Sequence, residues 1–311
     1  MDIQLKPLSD QVIVITGASS GIGLATAIGA AAQGARLVLA ARSKQTLDHI
    51  TRHLGEQGRE VIAVEADVGD PLQVEGIATA ALAAFGRIDT WVNNAGVSVY
   101  GRADEISLED ARRMFDTNYW GVVHGSRVAL PHLRVNGGAL INVGSEASDA
   151  ALPLQGMYSA SKHAVKGFTD ALRIELEADE APVSVTLIQP TAVDTPYPEH
   201  AGNYLSEEPK LPTPMIEAEK VASAILDAAT SPTRDTKVGA MAVLNTTMAK
   251  LMPGMADMMA RKYMGKQQRD EAPRTRAGTL WQAGYGGRIR GRGNENAADQ
   301  KQAEASNVRP A

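Results

Sequence analysis

The sequence predicts an α/β fold built on a doubly wound parallel sheet. Short segments rich in apolar and β-branched residues alternate with longer segments in which apolar residues recur at helical spacing. Strands that are apolar on both faces and separated by helices are typical of a parallel sheet covered by helices on each side. Ligands of such sheets bind at the carboxyl ends of the strands, so functional residues are expected there.

Each predicted element is bounded by a turn signal or a helix cap. The predicted strands cover residues 11–16, 36–41, 60–65, 89–93, 139–143 and 183–189. The predicted helices cover residues 22–33, 44–57, 71–85, 108–130 and 156–178. Ser43 and Ser107 are N-cap candidates, and Asp70 precedes a proline at the first helical position.

After residue 189 the alternation ends. Residues 191–216 are proline-rich and irregular, which predicts a substrate lid. A helix near residues 217–229, a candidate last strand at 237–244 and a methionine-rich segment at 241–264, interpreted as helical, follow. We therefore expect one domain over residues 1–245 and an extension over 246–311. The last 20 or so residues, about the final third of that extension, are polar and are predicted to be disordered.

Composition excludes several classes of site. The chain has 311 residues and no cysteine, which rules out disulfides, cysteine-bound zinc and thiol nucleophiles. The six histidines show no metal-ligand spacing, so no metal is expected. No apolar run is long enough to predict a transmembrane helix, and the N-terminus lacks the pattern of a secretory signal. The expected location is cytoplasmic.

Charge is distributed unevenly along the chain. The net charge is −5, yet the segment from Arg261 onward carries 11 Lys and Arg against 5 Asp and Glu. A basic tail is found in proteins that bind nucleic acid or anionic membranes. A solvated extension, or one that folds back onto an acidic body, has the same composition. We favour this second interpretation and expect no nucleic-acid partner.

A glycine-rich loop follows the first predicted strand. Three glycines lie at G-x-x-x-G-x-G spacing between that strand and the next helix, in the segment Thr16-Gly17-Ala18-Ser19-Ser20-Gly21-Ile22-Gly23. Glycines allow a tight turn and close backbone approach, and the helix N-terminus offers free N–H groups to a pyrophosphate. A purely structural turn is the alternative. The loop predicts a dinucleotide site.

The end of the second strand indicates which dinucleotide is bound. An acidic residue there hydrogen-bonds the adenosine ribose of NAD, whereas an arginine accepts the additional phosphate of NADP. Here the strand ends at Arg42-Ser43, and the next acidic residue is Asp48. A guanidinium holds a phosphate in bidentate fashion, and the hydroxyls of Ser43 and Ser19 are additional donors. NADP(H) is the predicted preference, with NAD(H) and an ordinary surface arginine as the alternatives.

A tyrosine–lysine pair supplies candidate acid–base chemistry. Tyr158 and Lys162 lie at i and i+4, on one face of the predicted helix, and Ser145 follows the fifth strand. An unperturbed tyrosine has a pKa of about 10, too high for a base near neutrality. A nearby ammonium favours the phenolate. Such a pair is common by chance, but here it follows a strand-end serine and a glycine loop.

These motifs together make the chain resemble the short-chain dehydrogenase/reductase family over residues 8–195. The resemblance implies a Rossmann fold and a nicotinamide-dependent oxidoreductase acting on CH–OH groups. It implies that Ser145 polarises the substrate oxygen, that Tyr158 exchanges its proton, and that Lys162 lowers the Tyr158 pKa and holds the nicotinamide ribose. Asn118 falls on the position of the family's fourth catalytic residue, which positions a water.

Further cofactor contacts are implied by the same resemblance. The carboxylate of Asp67, in Asp67-Val68, matches the adenine contact, and Asn93-Asn94-Ala95-Gly96 matches the segment that supports the sheet and lines the cofactor site. After the sixth strand the matching positions are Pro190, Val193 and Thr195. The family's usual glycine after the proline is replaced by Thr191, which predicts an unusual lid. The resemblance also implies a homodimer or homotetramer, formed through the helices at 107–130 and 156–178.

The substrate is a small carbonyl compound or alcohol that the sequence does not identify. Candidate cleft segments are residues 97–100, 147–157 and the region of Tyr197, and Leu152, Leu154 and Met157 favour a lipophilic substrate. Glu146 is either a substrate contact or a solvated loop carboxylate. The competing functions are an NAD-linked alcohol dehydrogenase of the same family and a non-catalytic dinucleotide-sensing protein. The second would predict a damaged set of catalytic residues, and all four are intact.

Overall fold

The computed structural model describes residues 3–292. The strands are β1 Val12–Thr16, β2 Arg36–Ala41, β3 Val61–Glu65, β4 Thr90–Asn93, β5 Val99–Tyr100, β6 Gly138–Val143, β7 Val183–Pro190, β8 Val193–Asp194, β9 Gly202–Asn203, β10 Ile216–Glu217 and β11 Asp235–Val238. The α-helices are α1 Gly21–Ala32, α2 Lys44–Glu56, α3 Pro71–Phe85, α4 Leu108–Phe115, α5 Gly121–Asn136, α6 Gly156–Ala178, α7 Tyr197–His200, α8 Ala218–Thr230, α9 Ala240–Leu251 and α10 Pro253–Tyr263.

Seven strands form one parallel sheet, which confirms the predicted fold class. Their order is β11-β7-β6-β4-β1-β2-β3. The chain starts at β1, adds β2 and β3 on one side, and then returns to add β4 and its neighbours on the other. The strand order therefore reverses between β1 and β4, and a crevice opens at their carboxyl ends, where ligands of such sheets bind.

Both faces of the sheet are buried. In β1, Ile13 and Ile15 pack on one face with α1 and α8, whereas Val12 and Val14 pack on the other with α3, α5 and α6. Successive side chains of a strand point to opposite faces, so this apolar run serves two cores at once. The predicted helix caps are also present: the side chains of Ser43, Asp70 and Ser107 each accept a backbone N–H.

Three predicted elements are corrected. The helix expected at residues 108–130 is interrupted by a π-helical turn, Asp116–Trp120, and its second part continues through Pro131 to Asn136. The candidate strand at 237–244 is wrong beyond Val238, since Gly239 has φ +98° and α9 begins at the next residue. The predicted lid, residues 191–216, contains the short elements β8, α7 and β9 and ends in β10.

The C-terminal part folds back onto the sheet. The methionine-rich segment forms α9 and α10, as interpreted from the sequence, and α9 spans residue 245. Residues 278–292, here called the C-terminal strap, cross the carboxyl ends of the strands. The predicted disorder concerns residues that lie almost wholly outside the described part. Within residues 3–292, none of the helices combines the length and apolar character needed to cross a bilayer.

Candidate active site

A cavity of about 760 Å³ lies at the carboxyl ends of the strands. This volume is within the range of small-molecule and cofactor sites. Of the predicted cofactor and catalytic residues, only Gly23 and Asn118 are not part of its wall. Those that line it are Gly17, Ser19, Ser20, Gly21, Ile22, Arg42, Ser43, Asp67, Val68, Asn94, Ala95, Gly96, Ser145, Tyr158, Lys162, Pro190, Val193 and Thr195.

The glycine loop packs too closely for side chains. A Cβ at Gly17, where φ is +66°, would lie 2.7 Å from Ala95 Cα, and a Cβ at Gly23 would lie 2.2 Å from the Gly17 carbonyl oxygen. Asn94 fixes the loop to β4, because its Nδ2 donates to the Thr16 carbonyl oxygen at 2.9 Å. The loop thereby brings the N-terminus of α1 to the cavity.

Buried amides tie β4 to β6 behind this loop. Asn93 Nδ2 donates to Asn142 Oδ1 at 2.9 Å, and Trp91 Nε1 donates to Asn93 Oδ1 at 2.8 Å. All three side chains are at most 3% exposed. The network is satisfied, and it holds the two strands whose ends carry the cavity wall in one register.

Two predicted adenosine contacts, Arg42 and Asp67, are engaged within the protein. Arg42 lies at the end of β2, as expected, but its Nη1 donates to the Leu280 carbonyl oxygen at 3.0 Å and its Nη2 donates to that of Thr279. Asp67 forms an ion pair with Arg113. Arg42 is half-buried and hydrogen-bonded within the protein rather than an ordinary surface arginine. Its pKa is lowered, first by removal from water and then by the nearby Arg113.

The catalytic candidates meet at the other end of the cavity. Ser145 follows β6, and its Oγ accepts the Ala147 N–H at 3.1 Å within a short 3₁₀ turn. Tyr158 and Lys162 lie one helical turn apart on α6, and Lys162 Nζ is 5.8 Å from the centre of the Tyr158 ring. Lys162 Nζ donates to the Val143 carbonyl oxygen at 2.8 Å. These bonds fix the serine and the lysine beside the phenol.

Burial is the main influence on the pKa values of Tyr158 and Lys162. It raises the pKa of Tyr158, against the opposing effect of hydrogen bonds with Ser145 and Tyr197. It lowers the pKa of Lys162 to about 8. The lowered tyrosine pKa expected from the sequence is therefore absent in the protein alone, because desolvation penalises the phenolate.

Asn118 lies behind the cavity wall, in the π-helical turn. Its Oδ1 accepts the Val97 N–H at 2.8 Å, and its Nδ2 donates to the Val97 carbonyl oxygen at 2.9 Å and to Ser161 Oγ at 3.1 Å. The side chain is fully buried. It joins the segment after β4 to α6.

The sequence did not predict the environment of Glu146. Its side chain is buried, and its Oε2 accepts hydrogen bonds from Thr191 Oγ1 at 3.1 Å and from Asn245 Nδ2 at 2.9 Å. Burial raises the pKa of this carboxyl group. The interpretation as a solvated loop carboxylate is therefore wrong, and the threonine that replaces the usual glycine is a hydrogen-bond donor to it.

The end of the cavity near Tyr158 has apolar residues in its wall, but only some of these are the ones expected from the sequence. Leu152 and Tyr197 line it as predicted. Leu154 and Met157 are not part of the wall. Leu154 packs in the cluster of Tyr100, and Met157 packs in the same cluster as Leu152. Methionines of α9 and α10 are part of the wall that sequence reasoning missed: Met241, Met248 and Met259.

The strap was also missed. Thr279, Ala283, Gly284 and Tyr285 contribute to the cavity wall. The sequence signal that was available is the number of glycines after residue 276. No cluster of candidate metal ligands is found among residues 3–292.

Comparisons with known proteins agree with this geometry. The family model described as short chain dehydrogenase matches residues 11–203. An uncharacterized oxidoreductase, YxnA, of Bacillus subtilis is 48% identical over 294 residues, which are 93% of this chain and 83% of that protein. The 11-beta-hydroxysteroid dehydrogenase 1A of Arabidopsis thaliana is 37% identical over 66% of this chain and 58% of its own length.

Two solved structures of short-chain dehydrogenases have the same fold. One from Burkholderia phymatum, in complex with NAD, superimposes with a TM-score of 0.69 at 28% identity and covers 87% of this chain and 100% of its own. One from Burkholderia cenocepacia, in complex with NADP, gives a TM-score of 0.68 at 27% identity over 84% and 99%. The chain belongs to the short-chain dehydrogenase family of oxidoreductases.

Proposed function

We propose that this protein is an NADP(H)-dependent oxidoreductase that transfers a hydride between the nicotinamide and a carbonyl or secondary-alcohol carbon. One observation supports this above all. A single cavity joins the glycine loop and Arg42 at one end to Ser145, Tyr158 and Lys162 at the other. A dinucleotide has an adenosine phosphate at one end and a reactive ring at the other, and this cavity offers chemistry suited to each.

The cavity residues fit such a cofactor. The glycine loop leaves no room for a Cβ at Gly17 or Gly23, as a close approach to a pyrophosphate requires. The bound cofactor would supply the hydride, and the protein would supply alignment and electrostatics. Val193 and Thr195 would lie along the nicotinamide carboxamide, with Pro190 at the start of that segment.

Tyr158 is the proposed proton donor and acceptor. In carbonyl reduction the neutral phenol donates its proton to the substrate oxygen, which Ser145 orients, and burial favours that neutral form. In alcohol oxidation the phenolate is the base. Bringing its pKa from the ordinary value of about 10 to about 7 requires about 4 kcal/mol, at 1.36 kcal/mol per pKa unit. The same stabilisation must also offset the increase in pKa that burial causes. Lys162 and the positive charge of an oxidised nicotinamide are the proposed sources, and Asn118 is the proposed partner in the proton relay.

The NADP(H) preference is proposed from the end of β2. Arg42 stands there with no acidic residue in the chain before Asp48, and a guanidinium binds a phosphate more strongly than it binds a neutral acceptor. NAD(H) remains the alternative cofactor, and the two solved relatives include one complex with each.

The proposed substrate is a lipophilic ketone or secondary alcohol. Leu152 and the methionines of α9 and α10 supply an apolar wall that adapts to different shapes. The similarity to a plant protein named as a hydroxysteroid dehydrogenase is consistent with this class.

We also propose a homodimer or homotetramer in the cytoplasm. Large apolar side chains are exposed on the helices expected to form the interface. Trp120 is 48% exposed beside α5, and Ile174 is 60% exposed on α6. Burying them against a second copy would remove this apolar surface from water.

Replacing Tyr158 with phenylalanine tests the proposed reaction. The variant should lose NADPH-dependent reduction of a ketone panel by about a hundredfold or more, because the proton donor is removed, while NADPH binding changes little. Tyr119→Phe is the matched control and should retain full activity, because the Tyr119 ring packs against Phe168 and is not part of the cavity wall. Turnover by the Tyr158 variant within tenfold of the unmodified protein would refute the proposed role.

A further inference from the structure

The C-terminal strap is built into the glycine loop. The Gly287 N–H donates to the Ser19 carbonyl oxygen at 2.7 Å, and the Gly21 N–H donates to the Arg288 carbonyl oxygen at 2.9 Å. Gly21 is the first residue of α1, whose N–H groups have no partner within the helix. The strap therefore satisfies part of the N-terminus that would otherwise face the cofactor.

Close packing shows that the strap has a defined seat. A Cβ at Gly278 would lie 2.4 Å from the Ala201 backbone, and a Cβ at Gly291 would lie 2.3 Å from the Thr195 carbonyl oxygen. Leu280 is 1% exposed and packs in the apolar cluster that contains Tyr158. Such contacts are those of a folded segment rather than of a loose tail.

Charges hold the outer half of the strap. Arg288 pairs with Glu199 at 2.7 Å, and Arg290 lies 3.5 Å from Glu217 and 3.7 Å from Glu219. These pairs are exposed and individually weak. In each pair an arginine of the strap meets a glutamate from earlier in the chain. This agrees with the interpretation that the basic tail folds back onto an acidic body.

The first residues of the strap are bonded to Arg42, the residue predicted to bind the phosphate. Both terminal nitrogens of Arg42 donate to strap carbonyl oxygens, those of Thr279 and Leu280. Arg113 Nε donates to the Leu280 carbonyl oxygen as well, at 3.2 Å. Two guanidinium groups thus converge on two consecutive peptide groups, beside the place where the adenosine ribose is expected.

We propose that the C-terminal strap determines cofactor selectivity by competing with the 2′-phosphate of NADP(H) for Arg42. The ribose of NAD(H) carries a 2′-hydroxyl, which would donate a hydrogen bond to a strap carbonyl oxygen. A phosphate has only acceptor oxygens once ionised, so it is repelled by those carbonyls and must displace them from the guanidinium. The seated strap therefore weakens the preference of Arg42 for NADP(H) over NAD(H), and its release strengthens that preference. This inference rests on the proposed dinucleotide function.

A strap-unseating variant tests the claim. Gly278→Val places a side chain against the Ala201 backbone, away from the glycine loop. Gly265→Ala is the control, since nothing lies within 4 Å of its Cβ position. Dissociation constants for NADP⁺ and NAD⁺ are measured by calorimetry on the full chain. The ratio of the NAD⁺ to the NADP⁺ constant should rise about tenfold in Gly278→Val and stay unchanged in the control.

Hydrogen exchange of residues 278–292 gives a second readout that needs no turnover. Without cofactor, Arg42→Ala should speed exchange at these residues, because two of the bonds that hold the strap are lost. In the unmodified protein, saturating NADP⁺ should speed this exchange relative to saturating NAD⁺. The second readout also covers the case in which Gly278→Val fails to fold.

The outcomes separate the two claims. Binding of both nucleotides with an unchanged ratio in Gly278→Val, or unchanged strap exchange in Arg42→Ala, would overturn the strap proposal alone. Failure of the unmodified protein to bind either nucleotide would overturn the proposed function and the selectivity claim with it. In that case the cofactor-free exchange would still report whether Arg42 holds the strap.

Discussion

Replacing Lys162 with methionine should stabilise the cofactor-free protein at neutral pH while abolishing turnover. Burial lowers the pKa of Lys162 from 10.5 to about 8. At 1.36 kcal/mol per pKa unit, that difference corresponds to about 3 kcal/mol by which the fold disfavours the charged amine. Methionine fills a similar volume without a charge, so this cost is removed.

The pH dependence separates this effect from others. Below pH 8 the amine is charged in both states, and the folded protein bears the full cost. Between pH 8 and 10.5 the unfolded chain binds more protons than the folded one, so the stability of the unmodified protein rises with pH relative to the variant. Losing the bond to the Val143 carbonyl oxygen costs the variant about 1–3 kcal/mol, and the change in this bond as the folded amine loses its proton is already contained in the lowered pKa.

The assay is urea unfolding of both proteins at pH 7 and pH 10. The free energy of unfolding of the variant, minus that of the unmodified protein, should fall by about 2–3 kcal/mol between the two pH values. Lys166→Met is the matched control on the same helix, where the amine is partly exposed and paired with Asp170. For this control the difference should change by less than about 0.5 kcal/mol. If the difference in unfolding free energy between Lys162→Met and the unmodified protein were the same at pH 7 and pH 10, the fold would not disfavour the charged amine.

Two further substitutions test the walls of the site. Glu146→Gln should raise stability at pH 7, since burial raises the pKa of this carboxyl and penalises its charge; the gain should vanish below about pH 4, where both states are protonated. Urea unfolding at pH 7 and pH 4 measures it, and a gain that persists at pH 4 would contradict this account. Asn118→Ala should cost about 2–4 kcal/mol, because it leaves two backbone groups of Val97 buried without partners. Thermal unfolding measures that cost. A loss under about 1 kcal/mol, below the range for an unpaired buried group, would argue against a stabilising role of the bonds between Asn118 and Val97.

The sheet could be predicted because its strands carry a strong local signal. Four consecutive apolar residues, as in residues 12–15 of β1, have few explanations other than burial on both faces. The caps at Ser43, Asp70 and Ser107 were readable for the same reason, since a cap acts on N–H groups two or three residues away. The glycine loop also acts locally, through the turn that it makes.

Long-range contacts explain what the sequence did not predict. The π-helical turn positions Asn118 against Val97. The spacing of apolar residues along the helix does not reveal such a turn. The end of β11 is set at Gly239, where a Cβ would lie 2.7 Å from the side chain of Thr191, about fifty residues earlier in the chain. The strap is held mostly through backbone atoms and salt bridges, so its contacts leave little pattern in side-chain hydropathy.

The charged groups around Tyr158 indicate how one site could serve both reaction directions. Burial pushes Tyr158, Lys162 and Glu146 toward their neutral forms in the cofactor-free protein. Tyr158 is then a proton donor, the state that carbonyl reduction needs. A positive charge placed in the same desolvated cavity favours the phenolate, because electrostatic interactions are stronger where water is excluded. The proposed cofactor carries that charge only when oxidised, so the protonation of Tyr158 would follow the cofactor's redox state, with Lys162 adding to the effect when it is protonated.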